Sequence, residues 1–176
     1  IKLPTFIPGG GQERGYRSGT ENTQGIAGLG LATELACDNL AEKQVLLANL
    51  NNRLREGLMS ELDDIIVNGT MDMGFETSDY GKRCPSVLNV SFLGSRGEVI
   101  LHTLEQEEIY VSTGSACSSH KNSDSHVLAA MGLKHKEIEG AIRFSISEFN
   151  TLEEMDEAAS KVSAAVKRFR RLGSFR

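Results

Sequence analysis

Four scarcities shape this 176-residue chain before any motif is read. Cysteine is scarce: Cys37, Cys84 and Cys117 are an odd number, widely spaced, with no C-x-x-C among them. That argues against a disulfide framework or a zinc site, so no metal is expected. The same usage fits a reducing, cytosol-like compartment. Apolar runs are short, and neither a signal peptide nor a segment of membrane-spanning length is found. Positive charge is outweighed: the net charge is -5, and no basic patch interleaved with aromatics is present, which argues against nucleic acid as the partner. Proline is scarce too, and none falls within residues 22–62. A helix can therefore run through that stretch, as one long helix or two in succession.

What is present reads as an ordinary soluble domain, 39% hydrophobic and 24% charged. The start is Gly-rich, with Gly9, Gly10, Gly11, Gly15 and Gly19 close together, and it predicts extended chain leading into a tight turn. Leu46, Leu50, Leu54, Leu58 and Leu62 recur every fourth residue, a helical stripe. Gly28 and Gly30 upstream of it suggest close packing against another element. Residues 68–85 read as a loop. Residues 86–92 predict a strand, and Ser95 with Glu98 has the spacing of a capping box before a short helix. Residues 109–111 predict a second strand. A helix over residues 125–131 closes at Gly132, and residues 141–147 alternate as a third strand. Thr151 and Glu154 form a second capping box before an amphipathic helix whose Met155 and Phe169 are packing residues. Lys167, Arg168, Arg170 and Arg171 suit the C-terminal end of that helix better than a docking site for an acidic partner. The expected class is α+β: a short three-stranded sheet packed with helices and preceded by a long helix.

The segment with most chemistry is Ser112-Thr113-Gly114-Ser115-Ala116-Cys117-Ser118-Ser119. Buried structural cysteines sit among apolar side chains. The neighbours of Cys117 are small or hydroxylic, and His120 and Lys121 follow as candidate cationic neighbours, the kind of group that lowers a thiol pKa. Two readings stand side by side here: a reactive thiol, or a plain surface-loop cysteine.

Several segments together resemble the NifS-like cysteine desulfurases, pyridoxal-phosphate enzymes of the class V aminotransferase family. Gly9-Gly10-Gly11-Gln12-Glu13-Arg14-Gly15 followed by Arg17-Ser18-Gly19-Thr20-Glu21-Asn22 carries the resemblance. So do the strand at 86–92, the cysteine loop, Ile142-Arg143-Phe144-Ser145-Ile146-Ser147 and Thr151-Leu152-Glu153-Glu154-Met155-Asp156. They occur in the family's order and cover nearly the whole chain.

The resemblance implies the small C-terminal domain of a fold-type I pyridoxal-phosphate transferase. It implies a dimeric parent enzyme that takes sulfur from L-cysteine, releases L-alanine and passes a cysteine persulfide to an acceptor or scaffold protein for iron–sulfur cluster or thiocofactor assembly. Selenocysteine lyases are close relatives, so a fragment of one is an alternative. By position, Cys117 resembles the persulfide-forming nucleophile and Arg143 the clamp on the substrate carboxylate, a role that suits a planar guanidinium. Thr20 resembles the threonine that reaches the cofactor phosphate of the partner subunit.

In this family the cofactor lysine precedes the Gly-rich segment within Ser-x-His-Lys. Ser118-Ser119-His120-Lys121 has those letters but stands in the wrong place in the order. The expectation is therefore a C-terminal portion without the lysine. Residues 1–62 would bridge to an absent cofactor domain, residues 63–176 would form the small domain, and the chain alone would be inactive. A free-standing, non-catalytic sulfur carrier or docking module is the rival from another class. A thiol redox sensor is a third, weaker alternative.

Overall fold

The sequence permitted one helix or two after the Gly-rich segment, and the computed structural model, which describes residues 3–69, 83–113 and 124–173, has two. Helix α1 (Thr23–Cys37) starts where the Asn22 side chain accepts the Gly25 N–H at 3.0 Å. It stops at Asp38. Asn39 then takes a left-handed conformation, φ 52°, which asparagine tolerates better than most residues, and α2 (Leu40–Glu61) begins.

The chain forms two compact units, Ile1–Leu40 and Ala41–Arg176. Helix α2, which the sequence grouped with the Gly-rich segment, thus packs with the second unit from its second residue onward. In the first unit, residues 6–7 lie beside 16–18: the Phe6 N–H donates to the Tyr16 carbonyl at 2.8 Å and the Ser18 N–H to the Ile7 carbonyl at 3.0 Å. A 3-10 turn (Glu13–Gly15) closes the loop between them. Helix α1 buries none of its residues. Among the described residues no atom beyond the adjoining residues and the helix's own backbone lies within 4 Å of a Cβ built on Gly28 or Gly30, so the expected close packing at these glycines is not seen among them.

The second unit holds the core. Leu50, Leu54 and Leu58 of α2 are buried, while Leu46 is 40% exposed. A four-residue spacing advances about 40° per step around a helix of 3.6 residues per turn, so a long stripe leaves the buried face at one end. Strands β1 (Ile65–Val67), β2 (Val87–Phe92) and β3 (Ala141–Ser145) form an antiparallel sheet in that order. Register pairs Val67 with Val90 and Asn89 with Arg143.

The count of three strands was expected, but their identity was not. Residues 109–111 join no ladder, and β1 takes the third place. Part of the predicted loop at 68–85, residues 70–82, lies outside the described residues.

Helix α3 (Gly97–Glu105) follows β2. The expected capping box fails: Arg96 is the N-cap and makes no side-chain capping bond, its guanidinium instead donating to Glu139, and the Ser95 hydroxyl is buried without a partner among the described residues. Helix α4 (His126–Ala130) is capped by Ser125 and followed by Gly132 at φ 89°. Helix α5 (His135–Glu139) has no counterpart in the sequence reading; five residues carry too little periodicity. Helix α6 (Leu152–Arg171) has the predicted capping box, with the Glu154 N–H on Thr151 Oγ1 at 3.2 Å and the Thr151 N–H on Glu154 Oε2 at 3.1 Å. Met155 is buried in the core as expected, with Val162 and Val166. Arg170 donates to the carbonyls of Leu93, Asp63 and Asp64, which ties the helix end to the loops flanking β1 and β2. That arginine stabilises the fold and does not wait for an acidic partner.

Gly140 precedes β3, and its carbonyl accepts the Phe92 N–H at 3.0 Å. A Cβ here would overlap the Phe92 carbonyl oxygen. Gly140→Ala is expected to cost about 1–3 kcal/mol by overpacking against backbone that cannot yield. Urea unfolding followed by circular dichroism measures it, and an unchanged midpoint contradicts it.

Glu154 gives a pH signature. The Asn150 side-chain amide, then the Thr151 N–H, hold its carboxyl below the ordinary glutamate value of 4.5. A carboxyl lowered in the fold stabilises above its unfolded value, and that contribution disappears as pH falls through the lowered folded value. Glu154→Gln is therefore expected to flatten the acid side of a melting-temperature profile below about pH 4.5 and leave the neutral side nearly unchanged. Parallel acid limbs in the two proteins would refute this.

Candidate functional site

Arg143 sits at the centre of β3, on the sheet's exposed face between buried Ile142 and Phe144. Period-two alternation puts it there. Its backbone faces away from β2: the Arg143 N–H donates to the Ser112 carbonyl at 2.7 Å and the Ser112 N–H to the Arg143 carbonyl at 3.1 Å. This bridge holds the stem of the cysteine segment, five residues before Cys117, beside Arg143. The two positions are 31 residues apart in sequence, and nothing in their local pattern foretells the contact. Among the described residues the Arg143 guanidinium has no hydrogen-bond or ion-pair partner, so it is free to take an anion. Across the strand pair, Asn89 Oδ1 accepts from Asn68 Nδ2 at 2.6 Å, and the same Nδ2 donates to Ser91 Oγ at 2.8 Å. These bonds lock the polar row of β2 opposite Arg143.

Cys117, with His120 and Lys121, falls at residues 114–123, outside the described residues. Asp124, directly after them, is held at 2.7 Å from His135 Nδ1 of α5. Both described ends of the segment are thus attached to the second unit, at Ser112 and at Asp124. The other two cysteines are exposed. Cys37 is helical, as expected, but its apolar neighbours do not cover it; Cys84 lies 3.0 Å from the Ser86 hydroxyl.

Thr20 belongs to the first unit. Its loop is pinned by its own side chains: Arg17 Nη1 donates to the carbonyls of Gly19 and Thr20 at 2.9 and 3.2 Å, and Gln12 Oε1 accepts the Gly19 N–H at 3.3 Å. Thr20 is exposed, with no side-chain hydrogen bond among the described residues. Ser18 Oγ is buried and lacks a partner among the described residues. Gly9 sits against it, where a Cβ would come within 2.8 Å of Ser18 Cβ. Two hydroxyls without partners on a fixed Gly-rich loop fit the phosphate end of a cofactor such as pyridoxal phosphate. The described residues of this unit include no lysine, so no covalent link to a cofactor is formed by them.

Among the described residues no group of three or more His, Cys, Asp or Glu side chains could hold a metal ion. None of their helices is long and apolar enough to cross a membrane.

The aminotransferase class-V family model matches residues 9–157. The chain is 40% identical over 172 residues to the cysteine desulfurase IscS of Clostridium botulinum strain Hall, covering 98% of this chain and 42% of that protein. It is 40% identical over 170 residues to a cysteine desulfurase of Sinorhizobium fredii, covering 97% of this chain and 42% of that protein. Among solved structures, a NifS-like protein superposes with a TM-score of 0.74 at 34% identity, over 94% of this chain and 39% of that one. The chain therefore spans about two fifths of the length of the relatives it matches. Its α+β fold is shared with NifS-like structures, and the chain belongs to the aminotransferase class-V family.

Proposed function

We propose that this chain is the C-terminal part of a cysteine desulfurase, which takes sulfur from L-cysteine, releases L-alanine and holds the sulfur as a persulfide on Cys117. The observation that carries the reading is the Ser112–Arg143 bridge. It sets an exposed guanidinium, without a partner among the described residues, beside the stem of the segment proposed to bear the nucleophile. Similarity to desulfurases over nearly the whole chain supports it over a free-standing sulfur carrier.

Arg143 binds the substrate carboxylate through a two-pronged, charge-assisted contact and so orients the substrate. The Cys117 thiolate attacks the substrate sulfur; a sulfur–sulfur bond forms as the carbon–sulfur bond breaks. Pyridoxal phosphate, when bound, supplies the sink for the electron pair of the broken bond. Protonation of the former sulfur-bearing carbon completes alanine. Thr20, with Ser18 beside it, donates hydroxyl hydrogen bonds to the cofactor phosphate of a partner subunit in a homodimer. The persulfide then passes to an acceptor protein serving iron–sulfur cluster or thiocofactor assembly, in the cytoplasm.

The 176-residue chain alone is expected to form no imine with pyridoxal phosphate and to release no alanine from L-cysteine, whereas the full-length polypeptide does both. Absorbance of the cofactor and alanine assay of the two proteins side by side test this. An imine absorbance in the short chain that disappears with Lys121→Ala would overturn the rejection of Ser118-Ser119-His120-Lys121 as the cofactor motif.

A further inference from the structure

Residues 109–111 and β3 part company one register step beyond the Ser112–Arg143 bridge. Continuing that antiparallel register sets Tyr110 opposite Ser145, yet no backbone hydrogen bond joins them. Arg143 turns its N–H and C=O toward Ser112, and alternate residues of a strand point to the same side. Ser145 therefore presents its N–H and C=O to the same open edge, where neither has a partner among the described residues. A cleft of about 410 Å³ fills the gap. Its floor is apolar, with Leu54, Ile109, Phe144 and Met155, and Tyr110 stands 79% exposed beside it. Its rim carries Glu107, Glu108, Glu154 and Glu157 against a single cation, Lys161. Lys161 is already paired with Glu157 at 2.7 Å and Glu107 at 3.6 Å, so the rim remains net negative.

We propose that this cleft binds an extended segment of a partner protein, carrying lysine or arginine beside an apolar side chain, whose backbone pairs with the free edge of β3 at Ser145. Each part of the cleft selects one property of the occupant. An unpaired strand edge accepts extended backbone. The apolar floor takes a side chain of that backbone out of water. The acidic rim attracts a cation and repels an acidic sequence, which sets specificity and salt dependence more than affinity. Arg143 does not line the cleft, and this proposal does not rest on the desulfurase reading.

The probe is the pentapeptide Val-Lys-Val-Arg-Val, labelled with fluorescein and titrated into the full-length polypeptide with anisotropy as readout. Saturable binding that weakens with salt is expected. Val-Glu-Val-Glu-Val, and the basic peptide N-methylated at alternate residues, are each expected to bind at least about tenfold more weakly. Ser145→Pro removes an N–H that the fold does not use, at a position where the strand edge is open. It is expected to weaken the basic peptide by a similar factor without lowering the melting temperature. If that variant is destabilised, the N-methylated peptide decides with the unaltered protein. Absence of binding, including occlusion of the cleft by a second copy or by another segment of the same polypeptide, overturns the proposal. So does equal binding of the N-methylated peptide.

Discussion

Cys117→Ala in the full-length polypeptide is expected to lower sulfur transfer from L-cysteine by at least about a thousandfold, because it removes the thiolate proposed to accept the sulfur. Cofactor absorbance and the melting temperature are expected to stay unchanged. The side chain removed is small, and its neighbours in sequence are glycine, alanine and hydroxylic residues. The exposed thiols Cys37 and Cys84 are internal controls. Replacing either with serine is expected to leave turnover within about twofold, as for surface substitutions away from a site. Alanine release by the Cys117 variant at the unaltered rate would assign the sulfur chemistry elsewhere.

Arg143→Ala has the next largest expected effect. Losing a charge-assisted, two-pronged contact with the substrate carboxylate should cost on the order of 2–4 kcal/mol, or about thirtyfold to a thousandfold in kcat/KM for L-cysteine. Arg143→Lys is expected to recover only part of this, since an ammonium lacks the planar fork. Stability should hold in both variants. The guanidinium is exposed on β3 and has no partner among the described residues, and the bridge to Ser112 is made by backbone atoms that the substitutions keep. Steady-state kinetics beside thermal melting separates the cases. Unchanged kinetics in the alanine variant would make Arg143 an ordinary surface residue of the strand.

The sequence showed the parts whose signals are local. The Thr151–Glu154 capping box and the apolar spacing behind it marked α6, and alternation marked β3 around Arg143. The leucine stripe marked α2, though Leu46 drifts off its face. Signals that depend on distant contacts were missed. Strand β1 is three residues long and exists because β2 offers it an edge. Residues 109–111 have strand-like composition but diverge from β3 after a single bridge, and the cleft opens between them. Ser95 and Glu98 had the spacing of a cap, yet the Ser95 hydroxyl is turned into the fold.

The site divides the same way. Cys117 stood out from its own neighbours. Arg143 and Thr20 were singled out by family resemblance, because neither an arginine on a strand nor a threonine after glycine is distinctive alone. The pairing of Arg143 with the stem of the cysteine segment, and of Asp124 with His135, belongs to tertiary structure and has no local signature.

The most direct test of the central claim is the mass of the peptide containing Cys117 after the full-length polypeptide, loaded with pyridoxal phosphate, is incubated briefly with L-cysteine and quenched with an alkylating reagent. The expected result is a gain of one sulfur atom on that peptide, reversed by dithiothreitol and matched by one alanine released. The peptides of Cys37 and Cys84 should carry the alkyl group alone. Alanine release with the added sulfur on Cys37 or Cys84, or no added sulfur on any of the three, would contradict the assignment of Cys117 as the sulfur acceptor.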